Sequence, residues 1–174
     1  MEADEYKINQ DPMHTCLLSL EVSHCDLTKM ELSDLRWLGC AVDLFSVTEY
    51  KIAHIMGIHF RSGEWGQSPR CGSVMTCLKE GRSVYARINR FLHIDGDCCP
   101  GYASVTWFGA PHYPCGTPLV VYVDDDGSDL DSQFGCIIRI TEIDPSRVIT
   151  ECGEQQTDGY YVMRDSGFDS VIVS

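Results

Sequence analysis

The stretches Arg82-Ser-Val-Tyr-Ala-Arg-Ile-Asn-Arg-Phe-Leu-His-Ile94 and Tyr102-Ala-Ser-Val-Thr-Trp-Phe108 decide the fold prediction for this chain. Apolar side chains recur at every second position in both stretches, and β-branched and aromatic residues are frequent in them. Between them, Asp95-Gly and Pro100-Gly are dipeptides typical of turns. The sequence therefore predicts a β-hairpin whose strands are joined by a fairly long loop.

Further strands are predicted before and after this hairpin. Residues 51–60 read as two strands around a turn at Gly57, and Val74–Leu78 is followed by the turn dipeptide Glu80-Gly81. Later strand-like segments lie at residues 119–123, 137–143, 147–150, 159–164 and 171–173. Short strands at this spacing, with almost no helical periodicity after residue 50, predict a mainly β chain that forms a small bent antiparallel sheet or barrel.

The N-terminal part of the chain has a different character. Residues 1–27 show no sustained periodicity, and residues 14–22 fit a short strand or a connector equally well. Thr28 and Glu31 have the spacing of a capping box, and apolar residues then recur every three or four positions, which predicts a helix over residues 29–40. We therefore expect a partly helical extension over residues 1–50 and a β-barrel domain over residues 51–174.

Charge is unevenly distributed along the chain. The formal net charge of −13 disfavours general affinity for nucleic acid, because phosphate binding needs a cationic surface. Residues 51–93 nevertheless carry seven Lys or Arg against two acids, whereas residues 120–174 carry twelve acids against three Arg. Two interpretations stay open: the charges pair across the fold, or the basic residues form a small patch. The acidic N-terminus and the lack of a long apolar run predict an intracellular protein without a membrane partner.

The ten cysteines raise the question of disulfides and metal sites. Because no secretion signal is evident, we expect reduced thiols rather than a disulfide framework. Soft ligands that could bind zinc or serve a thiol-dependent enzyme occur at Cys98, Cys99, His112 and Cys115. Adjacent cysteines rarely ligate one ion together, since their side chains diverge. The sequence therefore favours a protein without a cofactor, and a zinc- or thiol-dependent enzyme stays an alternative.

Aromatic and acidic residues give the remaining functional signals. Tyr85, Trp107, Phe108 and Tyr113 fall at predicted strand ends or loop mouths, where converging rings can hold a cation, although core packing is the preferred explanation for the first two. Residues 124–131 are rich in aspartate but lack the glycine and glutamate positions of an EF-hand loop, which predicts a solvated acidic hairpin loop.

Two groups of residues carry a family likeness. Val84-Tyr-Ala-Arg-Ile-Asn-Arg-Phe91 and Ala103-Ser-Val-Thr-Trp-Phe108, with Pro111, resemble the core hairpin of bromo-adjacent homology (BAH) domains. Residues 140–149 and 159–164 resemble the later part of that family, so the likeness covers residues 72–165. The chain also looks like modules near the ends of proteins encoded by eukaryotic transposable elements. The BAH resemblance implies a β-rich module that binds histone tails or partner proteins and does not catalyse a reaction.

The resemblance also implies roles for individual residues. Trp107 matches a tryptophan that forms one wall of a methyl-lysine cage in some BAH readers, and Tyr85 or Tyr113 would supply a second wall. Where some readers carry an acid about six residues after that tryptophan, this chain has Tyr113. Methyl-lysine reading is therefore less favoured than general binding of a peptide or protein.

These observations lead to one preferred function and two alternatives. We expect a non-catalytic, nuclear module of chromatin that binds a basic, histone-like peptide, with the acidic loop at residues 124–131 steering the ligand. Its expected contact residues are Trp107, Tyr113, Tyr85 and Phe108. The first alternative is a nucleic-acid-binding module of a transposon-derived protein, acting through Arg82, Arg87 and Arg90. The second is the thiol- or zinc-dependent enzyme.

Overall fold

The computed structural model describes residues 5–7, 16–23, 25–40, 46–63, 73–109, 111–112, 120–124, 127–147, 149–151 and 160–165. The described chain contains twelve strands and two α-helices. In chain order they are β1 (Glu5–Lys7), β2 (Cys16–Val22), α1 (Lys29–Trp37), β3 (Val47–Ile55), β4 (Ile58–Arg61), β5 (Val74–Lys79), β6 (Arg82–Ile94), β7 (Tyr102–Trp107), β8 (Pro111–His112), β9 (Val120–Asp124), α2 (Ser128–Phe134), β10 (Ile137–Arg139), β11 (Ile149–Glu151) and β12 (Tyr160–Asp165). Neither described helix has the length and apolar character needed to span a membrane.

Eight strands form one antiparallel sheet that curls into a half-barrel. The main path through this sheet is β1-β2-β3-β6-β7-β10, while β4 pairs with β3 and β5 pairs with β6. A second sheet of four strands has the order β11-β12-β9-β8. The predicted mainly β chain with a bent antiparallel sheet and a short helix near the N-terminus is therefore confirmed.

Two tight hairpins agree with the turn dipeptides in the sequence. Met56 and Gly57 both have positive φ between β3 and β4, and Glu80 and Gly81 do so between β5 and β6. Positive φ at both central residues defines the type I′ turn, whose twist matches that of the flanking strands.

The central hairpin pairs β6 with β7 as predicted, and it contains a bulge that the sequence pattern did not indicate. The register between the two strands shifts between Ile88 and Arg90. The first part of β6 pairs with β5, and the part after the bulge pairs with β3. A bulge bends its strand and increases the local twist, so this irregularity accounts for the curl of the sheet at β6.

Around β6 and β7 the sheet carries buried residues on both faces. The larger hydrophobic cluster includes Ile88, Phe91 and Trp107, and a second cluster includes Leu92 and Ile94 together with Leu35 of α1. Because successive side chains of a strand point to opposite faces, Phe91 and Leu92 belong to different clusters. Helix α1 therefore covers the face of the sheet opposite to the main core.

Helix α1 begins where the sequence predicted. The Thr28 hydroxyl accepts a hydrogen bond from the Glu31 amide at 3.1 Å, and the Thr28 amide donates to Glu31 Oε1 at 2.9 Å, which completes the capping box. The helix ends at Trp37, before Gly39, whose φ is +89°. The expected domain boundary between residues 50 and 51 falls inside β3, and β2 pairs with β3 in the same sheet.

The acidic segment is not the hairpin loop that the sequence predicted. Residues 128–134 form α2, because Leu130 and Phe134 lie four residues apart and both pack against the main core. The predicted strand over residues 137–143 is also too long. After Arg139 the chain turns into a 3₁₀ helix at Ile140–Glu142, which keeps Ile140 and Ile143 buried. The predicted strand at residues 171–173 lies outside the described residues.

Candidate functional site

A cleft of about 290 Å³ opens between α1 and α2. Helix α1 contributes Asp34 and Trp37 to one wall, together with the following residue Leu38, and the other wall includes Asp131, Phe134 and Gly135. Trp37 and Leu38 follow Asp34 by three and four positions, so both lie near it on one side of the helix. Leu35, which is fully buried, holds the helix on the sheet beside them.

Asp34 joins the two walls of the cleft. Its Oδ2 atom accepts hydrogen bonds from the Cys136 amide at 2.9 Å and from the Cys136 thiol at 3.0 Å. A Cβ on Gly135 would lie 3.0 Å from the same carboxylate, so glycine is needed where the chain passes from α2 to β10. The φ of Gly135 is +71°, which also favours glycine.

The Cys136 thiol keeps its proton and donates it in a hydrogen bond to the Asp34 carboxylate. Burial, reinforced by the hydrogen bond to the Asp34 carboxylate, raises the pKa of Cys136 from 9.0 to about 12. The protonated thiol is therefore the form present in the folded protein at neutral pH. Its contribution to stability is complete below about pH 9 and is lost as the pH rises towards 12.

Different reactivities of the thiols follow from these environments. Burial also raises the pKa of Cys16, Cys25, Cys40, Cys77 and Cys99, whereas the side chain of Cys98 is exposed. Only the thiolate is nucleophilic. Among the seven described cysteines, we expect Cys98 to be alkylated first by iodoacetamide at mildly alkaline pH, as followed by peptide mass spectrometry. Alkylation of Cys136 at the same rate in the native protein would contradict this assignment.

Trp107 supports the α2 wall of the cleft. Its indole Nε1–H donates to the carbonyl oxygen of Gly135 at 2.6 Å, and its ring centroid lies 6.3 Å from that of Phe134. At the other end of α2, a Cβ on Gly127 would lie only 1.9 Å from the Trp107 carbonyl oxygen. Trp107 therefore supports both ends of α2 and is itself only 1% exposed.

Trp37 stands at the rim of the cleft with 82% of its surface exposed. It is the most exposed large hydrophobic side chain among the described residues. Since Trp37 follows the buried Leu35 by two positions, the helix directs the two side chains away from each other. Tryptophan is usually well buried and is enriched at binding hot spots, so this exposure marks a candidate contact.

Neither Trp37 nor Asp34 was predicted from the sequence to be a site residue. A signal for Trp37 was present, because an aromatic residue lies off the apolar face of the predicted helix over residues 29–40. No comparable signal identified Asp34, whose partner Cys136 is 102 residues away.

The described wall residues give the cleft a negative character. They include the carboxylates of Asp34 and Asp131 and no Lys or Arg. Lys79 lies near Phe134, with its Nζ 5.4 Å from the ring centroid, but this ammonium is paired with Glu142 at 2.6 Å. The cleft therefore suits a cationic ligand.

Of the predicted aromatic contact residues, the three that the structure describes do not meet at one site. Trp107 pairs with Ala86 across β6 and β7, so Tyr85, the neighbour of Ala86, points to the opposite face of the sheet. Tyr85 and Phe108 instead share a small buried cluster with Val74. Both are at most 3% exposed, and Tyr113 lies outside the described residues.

The three predicted nucleic-acid contacts have different surroundings. Arg82 is exposed at the start of β6, and the Arg87 guanidinium carbon lies 5.3 Å from the centre of the Phe108 ring. Arg90 is directed inward, where its Nε is 3.0 Å from Glu31 and its Nη1 is 2.9 Å from Glu49. Pairing of Arg90 and Lys79 with acids far away in the chain supports the interpretation that charges pair across the fold.

The predicted soft ligands are only partly described. Cys98 is exposed, whereas the neighbouring Cys99 is buried and its thiol donates to the Gly101 carbonyl at 3.1 Å. His112 belongs to β8, but its side chain and Cys115 lie outside the described part of the structure. Within that part, no group of three or more His, Cys, Asp or Glu side chains is arranged to hold a metal ion.

Comparison of the chain with protein-family models, with curated proteins and with solved structures found no match. The cleft and its chemistry are therefore the basis on which a function can be proposed.

Proposed function

We propose that this protein is a non-catalytic interaction module that binds a basic peptide segment in the cleft between α1 and α2. The observation that carries this proposal is the exposed indole of Trp37 beside the carboxylates of Asp34 and Asp131. A cationic side chain over an indole face gains about 0.5–1 kcal/mol at an exposed site and about 2 kcal/mol when it is desolvated.

The rest of α2 adds to this attraction. Asp129 and Asp131 lie in its first turn, and the chain as a whole has a net charge of −13. A field of this sign speeds the encounter with a basic ligand and weakens as salt is added. The acidic segment thus keeps the steering role predicted from the sequence, although it is a helix that forms one wall of the cleft.

The contact residues differ from those predicted from the sequence. In this proposal Trp37 provides the aromatic surface, and Trp107 holds α2 in place from below. A histone-like tail is the peptide class that the BAH resemblance implies, and binding of such a tail would place the protein in chromatin and in the nucleus. The proposed cleft itself requires only a flexible segment rich in Lys or Arg.

The test is a titration with a fluorescein-labelled peptide rich in Lys and Arg, followed by fluorescence anisotropy. We expect binding that weakens with added NaCl and that falls about tenfold in Trp37→Ala, which corresponds to about 1.4 kcal/mol. Met30→Ala is the matched control, since Met30 is also exposed on α1 but does not line the cleft.

Asp131→Asn should also weaken binding, and the same peptide with Glu at every basic position should not bind. A labelled oligonucleotide serves as the second ligand class. Equal affinities of the wild-type protein and Trp37→Ala for the basic peptide would contradict the proposed site. Binding of the oligonucleotide without any peptide signal would contradict the proposed function.

A further inference from the structure

The β3–β4 hairpin places two histidines directly opposite each other. Its turn has two central residues, Met56 and Gly57, and is closed by the pair Ile55 and Ile58. In a hairpin of this type the closing pair exchanges backbone hydrogen bonds, so the next pair does not. That next pair is His54 and His59. Cα atoms of a pair without hydrogen bonds are only about 4.5 Å apart, which brings their side chains together.

The two imidazole rings are in contact with each other. Their centroids lie 3.9 Å apart, with an angle of 61° between the ring planes. His59 is exposed and His54 is half-buried. Both side chains project from the same face of the sheet because they are directly paired across the two strands.

We propose that His54 and His59 together bind one divalent first-row transition-metal ion, with water in the remaining coordination positions. Neutral imidazole is a preferred ligand of Zn²⁺, Ni²⁺ and Cu²⁺. Once one ring has bound the ion, the second binds it intramolecularly, which raises the affinity by roughly 10²–10⁴ over a single histidine. The type I′ hairpin places the two ligands side by side before the ion arrives.

Binding requires a small adjustment of the rings. Zinc lies about 2.0–2.1 Å from an imidazole nitrogen, so two rings around one ion must open slightly from direct contact. Rotation of the exposed His59 side chain allows this movement without a change in the backbone. The next pair along the same face is Ile52 and Arg61, and the exposed guanidinium of Arg61 opposes a divalent ion. We therefore expect moderate affinity.

Thiols are the main competitors for a transition metal in this chain. A metal binds the thiolate, and burial raises the pKa of six of the seven described cysteines. The experiment must nevertheless identify the ligands individually, since Cys98 is exposed. Zn²⁺ is the appropriate probe because it has no redox chemistry with thiols.

The experiment is a Zn²⁺ titration of the tag-free, reduced protein, followed by NMR of the histidine rings and by calorimetry. The ring resonances of His54 and His59 should shift together as one site fills. His54→Ala and His59→Ala should each lower the affinity of this site on the order of 100-fold. Met56→Ala, a control in the same turn, should leave it unchanged.

Two further readouts keep the result decisive. The first is the amide NMR spectrum of each variant, which shows whether the sheet is intact. A milder variant, His59→Gln, replaces the exposed ligand with a polar side chain of similar length. Zn²⁺ should raise the thermal midpoint of the wild-type protein more than that of any of the histidine variants. Unchanged zinc affinity in His54→Ala and His59→Gln would overturn the proposal, as would a titration in which the two rings do not respond.

Discussion

Replacing Arg90 with Met should destabilise the protein by about 3–5 kcal/mol, which is the usual cost of removing one partner from a buried ion pair. Arg90 lies between two carboxylates whose side chains are almost fully buried, those of Glu31 at 4% and Glu49 at 3% exposure. Its Nη1 also donates to the Asp26 carbonyl oxygen at 2.9 Å. Without the guanidinium, both carboxylates would remain buried without their cation.

Urea denaturation of the wild type and of Arg90→Met measures this effect. Arg82→Met is the matched control: Arg82 is exposed on the same strand, and its loss should change the free energy of unfolding by no more than about 0.5 kcal/mol. Adding Glu31→Gln and Glu49→Gln to Arg90→Met should restore much of the stability, because no unpaired charge is then buried. A wild-type midpoint for Arg90→Met alone would show that the cluster contributes nothing.

The Arg90 cluster also connects the stability of the fold to the proposed site. The Glu31 side chain caps the first turn of α1 through Oε1 and meets Arg90 through Oε2. The ion pair therefore attaches α1 to β6, and the same helix carries Asp34 and Trp37 at the cleft. We expect Arg90→Met to bind the basic peptide more weakly even under conditions where the variant is fully folded.

The second large effect is expected at Trp107. Trp107→Ala should cost about 3–5 kcal/mol, as is typical when a large buried aromatic side chain is truncated. Trp107→Phe keeps most of the apolar contact with Phe134 but loses the indole N–H that donates to the Gly135 carbonyl. A neutral hydrogen bond of this kind contributes about 0.5–1.5 kcal/mol net, and because Gly135 is only half-buried, water can hydrate its carbonyl once the indole N–H is lost. The Phe variant should therefore lose less stability than the Ala variant.

The same variants separate two assignments of the contact site. If Trp107 only supports α2, Trp107→Phe should bind the basic peptide nearly as well as the wild type, whereas Trp37→Ala should not. If the peptide contacts Trp107 directly, as the sequence analysis predicted, Trp107→Phe should lose at least as much affinity as Trp37→Ala. Anisotropy titrations at equal fractions of folded protein distinguish these outcomes.

Features set by neighbouring residues followed from the sequence alone. The turns predicted at Gly57 and at Glu80-Gly81, which the structure shows to be type I′, depend on residues that are adjacent in the chain. The capping box of α1 depends on Thr28 and Glu31, which are three positions apart. Alternation of apolar residues in turn revealed β6 and β7. These features can be recognised in the sequence because the residues that interact lie within a few positions of one another.

Features set by distant partners were decided by the tertiary structure. The sequence alone suggests that Arg90 is a surface cation, yet its guanidinium donates a hydrogen bond to Glu49, 41 residues away. Alternation could not show which aromatic residues are exposed, because both faces of the sheet are buried around β6 and β7, where Tyr85 and Trp107 lie on opposite sides. The acidic segment became a helix because Leu130 and Phe134 could reach the main core. The cleft itself exists only because packing brings α1 beside α2, almost a hundred residues later in the chain, and Asp34 reaches Cys136 there across 102 residues.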